Sequence, residues 1–447
     1  MSFEAEEHIT RKYELVQKIG KGAYGHVWKA VDRRSKKIIA VKKIFDAFQN
    51  ATDAQRTFRE VMFLQKFRHE NIIKLLRVHR AENNLDLYLI FEFMETDLHS
   101  VIRAHILEDV HKQFVAYQLV KTILYLHSGS LLHRDLKPSN ILLDAACVIK
   151  VADFGLARSV LSNEEDKENT TYTDYVATRW YRAPEILMGS TLYTFGIDMW
   201  SVGCITGEMI LGKPLFPGTS TPNQLERIIA MLGEPTKEDI RSFESPYAEG
   251  LLANLSKFQS KTFEETFRGV DPNAADFIRN LLHFNPDKRM SARQALRHPY
   301  IRPFRNRKEE KICSDPILIP LSDNTKYAVS EYRDFLYADI TKRSPPVIEP
   351  KPTKSTLRRT SLYTTMKSQV PKTAYRTSST SQVAPERPAH GTGNIYLSKT
   401  QPSTSSSKLN ERMSNMTIND KLRDRERDPN LSRGASNSKV DLRPRFH

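Results

Sequence analysis

Apolar and β-branched residues come in three short runs near the start of the chain, 14-ELVQKIG-20, 25-GHVWKAVD-32 and 38-IIAVKKI-44. Glycine or charged turns separate them, a pattern that predicts strands. The spacing changes over 53-DAQRTFREVMFLQKF-67, where Phe58, Met62 and Phe63 or Leu64 recur at helical intervals, so an amphipathic helix is expected. Two more strand-like runs follow, 72-IIKLLRVHR-80 and 86-DLYLIFEFM-94. From Asp97 to about Phe304 the pattern is mostly helical, with one strand-like interruption, 141-ILLDAACVIKVAD-153. A small β-rich lobe, 13–94, ahead of a large helical lobe, 95–304, makes an α+β, two-lobe arrangement. A cleft between lobes is a common place for a ligand. Residues 305–340 are expected to pack on this core as an extension.

Charge changes the picture at the C-terminal end. The 447-residue chain carries a formal net charge of +15. Residues 341–447 hold 21 Lys and Arg against 8 Asp and Glu, whereas residues 1–340 hold 47 against 45. The basicity therefore belongs to the tail. The tail also has 29 Ser and Thr and few large aliphatics, so it buries too little surface to offset the entropy of ordering. Residues 341–447 are expected to be a disordered basic tail. The three cysteines, Cys147, Cys204 and Cys313, are few and far apart, which fits a reducing compartment and neither a disulfide framework nor a zinc site. The N-terminus MSFEAEEHITRKY is acidic and lacks an apolar core, so no signal peptide is read. No apolar run approaches the ~20 residues that span a bilayer. An intracellular chain with no transmembrane segment is expected.

Five stretches carry candidate chemistry. In 19-IGKGAYGHV-27, Gly20, Gly22 and Gly25 have the spacing G-x-G-x-x-G, a turn whose backbone N–H groups approach phosphates without Cβ clashes. It lies between two strands, which counts against a Rossmann turn. Lys42, in A-V-K on the third strand, would neutralise phosphate oxygens if it faced the cleft, and Glu60 on the next helix is the carboxylate to hold it. In 133-HRDLKPSN-140, Asp135 is the candidate to orient an attacking hydroxyl and take its proton, Lys137 to neutralise the transferred phosphate and Asn140 to bind a divalent cation. In 153-DFG-155, Asp153 offers a hard carboxylate to the same cation. Glu185 in 183-APE-185 needs a buried partner, and Arg289 is the expected one.

This ordered set, the glycine loop, A-V-K, a helix Glu, H-R-D-L-K-P-S-N, D-F-G and A-P-E, resembles the eukaryotic protein kinase signature over residues 13–304. The resemblance implies ATP and Mg2+ as cofactors and transfer of the γ-phosphoryl group to a protein hydroxyl. It implies Ser or Thr as acceptor, because of Lys137. Nucleotide contacts fall on Ile19, Gly20, Lys21, Gly22, Ala23, Tyr24, Gly25, His26, Val27 and Lys42. In the hinge 88-YLIFEFMETDL-98, Phe91 would be the gatekeeper, and the backbone of Glu92 and Met94 would meet adenine.

Between D-F-G and A-P-E lies 171-TYTDYVATRWYRAPEI-186, in which Thr173 and Tyr175 have the T-x-Y spacing of mitogen-activated protein (MAP) kinases. Phosphate adds about −1.5 to −2 charge per site. Arg56, Arg59, Arg134 and Arg158 are the expected receivers for Thr173, and Arg179 and Arg182 for Tyr175. The same resemblance implies substrates with Pro after the Ser or Thr. Two alternatives stay open: a cyclin-dependent-like kinase, although the helix reads AQRTFREV without a PSTAIRE-like pattern, and a kinase-fold scaffold whose extension and tail recruit partners.

The extension 316-PILIPLSDNTKYAVSEYRDFLYADI-340 and the basic tail resemble the atypical extracellular signal-regulated kinase 7/8 group, also called MAP kinase 15. That likeness implies self-phosphorylation of the T-D-Y motif. It also implies a cytoplasmic chain associated with centrioles, basal bodies, cilia or the centrosome, with the nucleus left open. Only Asp315 and Asp323 stand where the usual acidic docking groove would be. Tyr337-Ala-Asp-Ile340 either offers two anchors to an autophagy ubiquitin-like protein as an added strand or packs on the kinase core. Ser344-Pro345 and 358-RRTS-361 are candidate modification sites. The basic tail suits a cytoskeletal, ciliary or anionic-membrane partner by charge. Nucleic acid is disfavoured, since the tail has no interleaved aromatics.

Overall fold

A computed structural model describes residues 5–22, 25–160, 179–256, 258–322 and 325–343. Five antiparallel strands form the small lobe in the order β1-β2-β3-β5-β4: β1 Tyr13–Gly22, β2 Gly25–Asp32, β3 Ile38–Ile44, β4 Leu75–Arg80 and β5 Leu87–Glu92. Side chains alternate between faces along a strand, and this alternation sorts the sheet. Ile39 and Val41 of β3 join Trp28, Ala30, Tyr88 and Ile90 on one face. That face is closed by Ala5, Ile9 and Tyr13 from the N-terminal segment, where α1 is Glu7–Thr10. Ala40, Ile44, Leu89 and Phe91 point the other way, into the main core. Lys42 lies between Ala40 and Ile44 in this count, opposite Val27 and Leu89, so its side chain is sent to the inner face.

The helix α2, Ala51–Lys66, packs against that inner face. Asn50 caps it, its side chain accepting the N–H groups of Thr52 and Asp53 at 3.0 Å each. It stops at Phe67, whose backbone is extended. In the large lobe the helices α3, Leu98–Arg103, and α4, Asp109–Ser128, are joined by the helix Gly196–Leu211. The middle of α4 and of Gly196–Leu211 is buried on every side, the mark of helices at a lobe centre.

Several sequence expectations shift. The run at 72 does not begin a strand. Ile73 donates to the Val151 carbonyl and Val151 to the Asn71 carbonyl, so this segment stitches the small lobe to the large one before β4 starts. The run 141–153 is a hairpin, Ile141–Leu143 and Ile149–Val151, not one strand. Asp144 turns it by accepting the N–H groups of Ala146 and Val148.

The extension packs on the core as expected. Ile317 donates to the Gly129 carbonyl at 2.8 Å, and Cys313 N to Ser128 Oγ at 2.9 Å. A final helix, Val329–Arg343, lies against α2. Tyr332 and Phe335 meet Phe58 at ring distances of 5.4 and 5.5 Å. Gln65 donates to Asp339 at 2.9 Å. The helix runs three residues past the expected end of order at 340. It also overturns the strand-adding reading of Tyr337–Ile340, because that stretch is helical and its two anchors are buried. Tyr337 stands edge-on to Phe48, with the Arg80 guanidinium 4.0 Å from its ring centre. Of the two docking-groove acids, Asp315 is exposed and bonded to Ser314, and Asp323 lies outside the described residues. So does the tail from Ser344.

Candidate active site

Lys42 Nζ donates to both oxygens of Glu60, at 2.7 and 3.0 Å. Burial would lower the lysine pKa, but Glu60 and then Asp153 more than offset it, and the ammonium stays charged. The bond joins β3 to α2 and fixes the helix close to the sheet. On the glycine loop, Gly22 pairs with Gly25 across the turn. A Cβ on Gly25 would run into the Lys43 carbonyl, which is why glycine stands there. Val27 shares the face of Lys42, whereas His26 points to the opposite face, between the rings of Trp28 and Phe45. Only the backbone of His26 is therefore left to meet a nucleotide. Ile19 is exposed at the rim, and Ala23 and Tyr24 lie outside the described residues.

At the hinge, Phe91 is buried opposite Ala40. The Glu92 carboxylate accepts Lys74 N at 2.9 Å and Lys150 Nζ at 3.0 Å, so its side chain is turned back toward β4 and the hairpin. Met94 is half-buried against the core.

Asp135, Lys137 and Asn140 converge. Asp135 Oδ2 accepts Lys137 Nζ at 2.6 Å and Asn140 Nδ2 at 3.1 Å. Asn140 also donates to the Asp135 carbonyl at 2.9 Å. The loop that carries them is hung on a carboxylate the sequence reading missed. Asp198, fully buried in the helix Gly196–Leu211, accepts His133 N at 2.9 Å, Arg134 N at 3.0 Å and His127 Nε2 at 3.1 Å. Burial alone would raise its pKa, but these bonds, His127 first among them, lower it. The available signal was a lone acid in an apolar run, 196-GIDMWSVGCI-205.

Asp153 has a left-handed backbone, φ 62, as does Arg134, φ 66, a strain of order 1 kcal/mol or more apiece for non-glycine residues. Phe154 is fully buried between Phe67 and His133, with ring centres at 4.6 and 4.8 Å. That contact locks the D-F-G turn beneath α2. Burial pushes the Asp153 carboxyl up, yet Lys42, Arg56 and Lys137 together bring it below the ordinary value. The Asp153 carboxylate and the Asn140 amide oxygen, on segments joined by the Ala152 N–H to Asn140 carbonyl bond at 2.8 Å, are hard oxygen donors of the kind that fits Mg2+. Charged Lys42 fits a phosphate.

Glu185 and Arg289 form the expected pair, bidentate at 2.7 Å for both bonds, with both side chains buried. Three of the candidate phosphate receivers lie on or against the stretch 153–158. Arg56 reaches Asp153, Arg134 donates to the Leu156 carbonyl, and Arg158 pairs with Leu132. Arg59 is buried near Tyr332. Arg179 donates to the Thr219 carbonyl and Arg182 is half-buried. Thr173 and Tyr175 lie outside the described residues.

Comparison with known proteins agrees with this geometry. The protein kinase domain family matches residues 13–301. Extracellular signal-regulated kinase 2 of Dictyostelium discoideum is 55% identical over 344 residues, 76% of this chain and 93% of that protein. Mitogen-activated protein kinase 15 of Xenopus laevis is 54% identical over 343 residues, 76% of this chain and 58% of the relative. Extracellular signal-regulated kinase 7 of Drosophila melanogaster is 48% identical over 347 residues, again 76% of this chain but 38% of the relative. The chain thus spans nearly all of the first relative and much less of the other two. With its signature residues assembled in one cleft and these likenesses over three quarters of its length, the chain belongs to the MAP kinase family of protein kinases.

Proposed function

We propose that this chain moves the γ-phosphoryl group of ATP to Ser or Thr hydroxyls followed by Pro, and that it switches itself on by phosphorylating Thr173 and Tyr175. The observation that carries the reading is the assembled state of the site. Lys42 holds Glu60 at 2.7 Å while Phe154 is buried beneath α2. The Lys–Glu pair must be in place for phosphoryl transfer on this fold, and the buried Phe154 holds Asp153 in the turn beside it.

Bound Mg2+-ATP would supply the transferable group and neutralise its developing charge. The remaining work belongs to the chain. Lys42 and the glycine-loop backbone hold the phosphates, and Asn140 and Asp153 are the residues that would hold the metal. Among the described residues, the side-chain contacts on Asp135 fall on Oδ2, which leaves Oδ1 to meet the acceptor hydroxyl and take its proton. Lys137, 2.6 Å from Asp135, keeps that carboxylate in place and adds counter-charge. Holding the two oxygens in line removes much of the entropic barrier.

Self-activation and a ciliary or basal-body setting rest on the likeness of the extension to the kinase 7/8 group. Proline direction rests on 176-VATRWYRAPE-185. Radiolabelled phosphate transfer to paired peptides, identical except for Pro or Ala after the Ser, tests the activity. Labelling of the Pro peptide alone, lost in Asp135→Asn, is expected. Equal labelling of both would remove proline direction, and no labelling by phosphorylated enzyme would remove the catalytic reading.

A further inference from the structure

Ala5, Ile9 and Tyr13 hold the N-terminal segment on the outer face of the sheet, and beside that contact three metal-ligating side chains converge. Glu6 and His8 come from the segment, and Glu82 from the turn between β4 and β5. His8 Nε2 lies 3.0 Å from the Arg80 carbonyl. A carbonyl only accepts, so Nε2 carries the ring proton and Nδ1 is left facing the two carboxylates. Nδ1 is 3.4 Å from Glu6 Oε2 and 3.3 Å from Glu82 Oε1. One ligand atom from each of the three side chains lies within 4.8 Å of the other two.

Three acceptors aimed at one place need a cation there. A second ring proton, on Nδ1, is one answer, but a charge-assisted N–H···O bond closes to about 2.7–2.9 Å, and both separations are longer than that. They match donors on a tetrahedral zinc ion, whose bonds of about 2.0–2.1 Å set neighbouring ligand atoms about 3.3–3.4 Å apart. A backbone carbonyl on the far ring nitrogen is the usual outer partner of a metal-binding histidine, and the Arg80 carbonyl stands there. The backbone is fixed as well. Glu82 N donates to Glu6 Oε2 at 2.8 Å, and Glu6 N to Tyr88 Oη at 3.2 Å. The Arg80 guanidinium turns to Asn84 and Tyr337 instead of the two acids. The Glu82 side chain is 69% exposed, so the place is open to solvent.

We propose that Glu6, His8 and Glu82 bind one zinc ion, with water as the fourth ligand, and that the ion clips the N-terminal segment to the β4–β5 turn. The imidazole nitrogen favours zinc over Mg2+ or Ca2+, which take oxygen ligands. The two carboxylates balance the charge of the ion. The site uses no cysteine, so cysteine spacing does not reveal it, and it lies on the opposite face of the sheet from Lys42.

The test uses the full-length chain, stripped of metal by a chelator and held in excess Mg2+, which competes for oxygen-only sites. Zn2+ is titrated by calorimetry, and Co2+ in parallel, whose visible absorption reports tetrahedral ligation. One saturable Zn2+ per chain is expected. His8→Ala and Glu82→Gln should each weaken it by about a hundredfold or more, since losing even an outer partner costs about 10–100-fold, while Glu82→His, which keeps a ligand, should stay within about tenfold of wild type. Zn2+ should also slow amide exchange over residues 6–12 in wild type and leave it unchanged in Glu82→Gln, a substitution on an exposed turn. No saturable Zn2+ in wild type overturns the site, and faster exchange in Glu82→Gln would then assign the cluster to a proton alone. Zn2+ held equally well by wild type, His8→Ala and Glu82→Gln sits elsewhere on the chain and overturns it too.

Discussion

Asp198→Asn separates the positioning of the catalytic loop from its chemistry. The carboxylate accepts two bonds on Oδ2, from His127 and His133, and one on Oδ1, from Arg134. Asparagine has a single acceptor oxygen. With that oxygen in the Oδ2 place, the Arg134 N–H faces an amide N–H2; with it in the Oδ1 place, two bonds are lost. At least one backbone donor is therefore stranded in a site with no solvent access. A hydrogen bond to a charged group contributes roughly 1.5–3 kcal/mol, and a stranded buried donor costs about 1–3 kcal/mol. A total loss near 2–4 kcal/mol is expected, a fall in melting temperature of about 3–6 °C for a folded body of this size. The loop relieves the clash by moving His133 and Arg134, and Asp135 moves with them. A displacement of ~1 Å costs on the order of a hundredfold in rate. The assay is steady-state phosphorylation of a Ser-Pro peptide at a temperature where circular dichroism shows the variant folded. Expected are a kcat about a hundredfold lower and a KM for ATP within about twofold, because Lys42 and the hinge do not touch Asp198. A folded variant with wild-type kcat would refute the anchoring role. A raised KM with unchanged kcat would place the role at the nucleotide instead.

The Glu185–Arg289 pair should behave as a buried, coupled unit. Glu185→Leu or Arg289→Met alone should each cost about 3–5 kcal/mol by leaving an unpaired buried charge, whereas the double variant should recover much of the loss. Additive losses in a urea-unfolding cycle would contradict this. His69 should make stability fall with acid. Burial opposes its protonation and puts its pKa at about 4, and its Nδ1 already accepts the Asn71 N–H at 3.1 Å. The unfolded imidazole titrates near 6.5, so the unfolded chain takes up the proton first. The contribution is fully present above pH 6.5 and drains toward pH 4, by up to about 3 kcal/mol. His69→Gln should flatten that part of the pH–stability curve, and an unchanged slope would contradict the assignment.

The residues that were legible in the sequence are those whose role follows from local periodicity or a short motif. Strands β2 and β3 begin and end where the β-branched runs do, and the period of two alone sends Lys42 inward. Glu60 and Arg289 could be named as partners because the A-V-K lysine and the A-P-E glutamate each call for an opposite charge. The unread features depend on contacts between distant segments. Asp198 is 63 positions from Asp135, and a single acid in an apolar helix does not announce which backbone it holds. The Arg56–Asp153 bond spans 97 positions. Nor does the alternation of β3 reveal that Ala5, Ile9 and Tyr13 cover its outer face. For Tyr337–Ile340 the sequence leaves a linear motif and packing on the core both open, and the helix that contains it, folded onto α2 with Phe48 and Arg80 around the tyrosine, decides for packing.

The most direct measurement is mass spectrometry of full-length protein made in a bacterium, which supplies no MAP kinase activator, comparing wild type with Lys42→Arg. Phosphate on both Thr173 and Tyr175 in the wild type and on neither in the variant is the expected result, since Lys42 is bonded to Glu60 and faces the phosphate site. Bare Thr173 and Tyr175 in a folded wild type that becomes active only after an added upstream kinase would contradict self-activation. Phosphate on both residues in Lys42→Arg as well would contradict the assigned role of the Lys42–Glu60 pair.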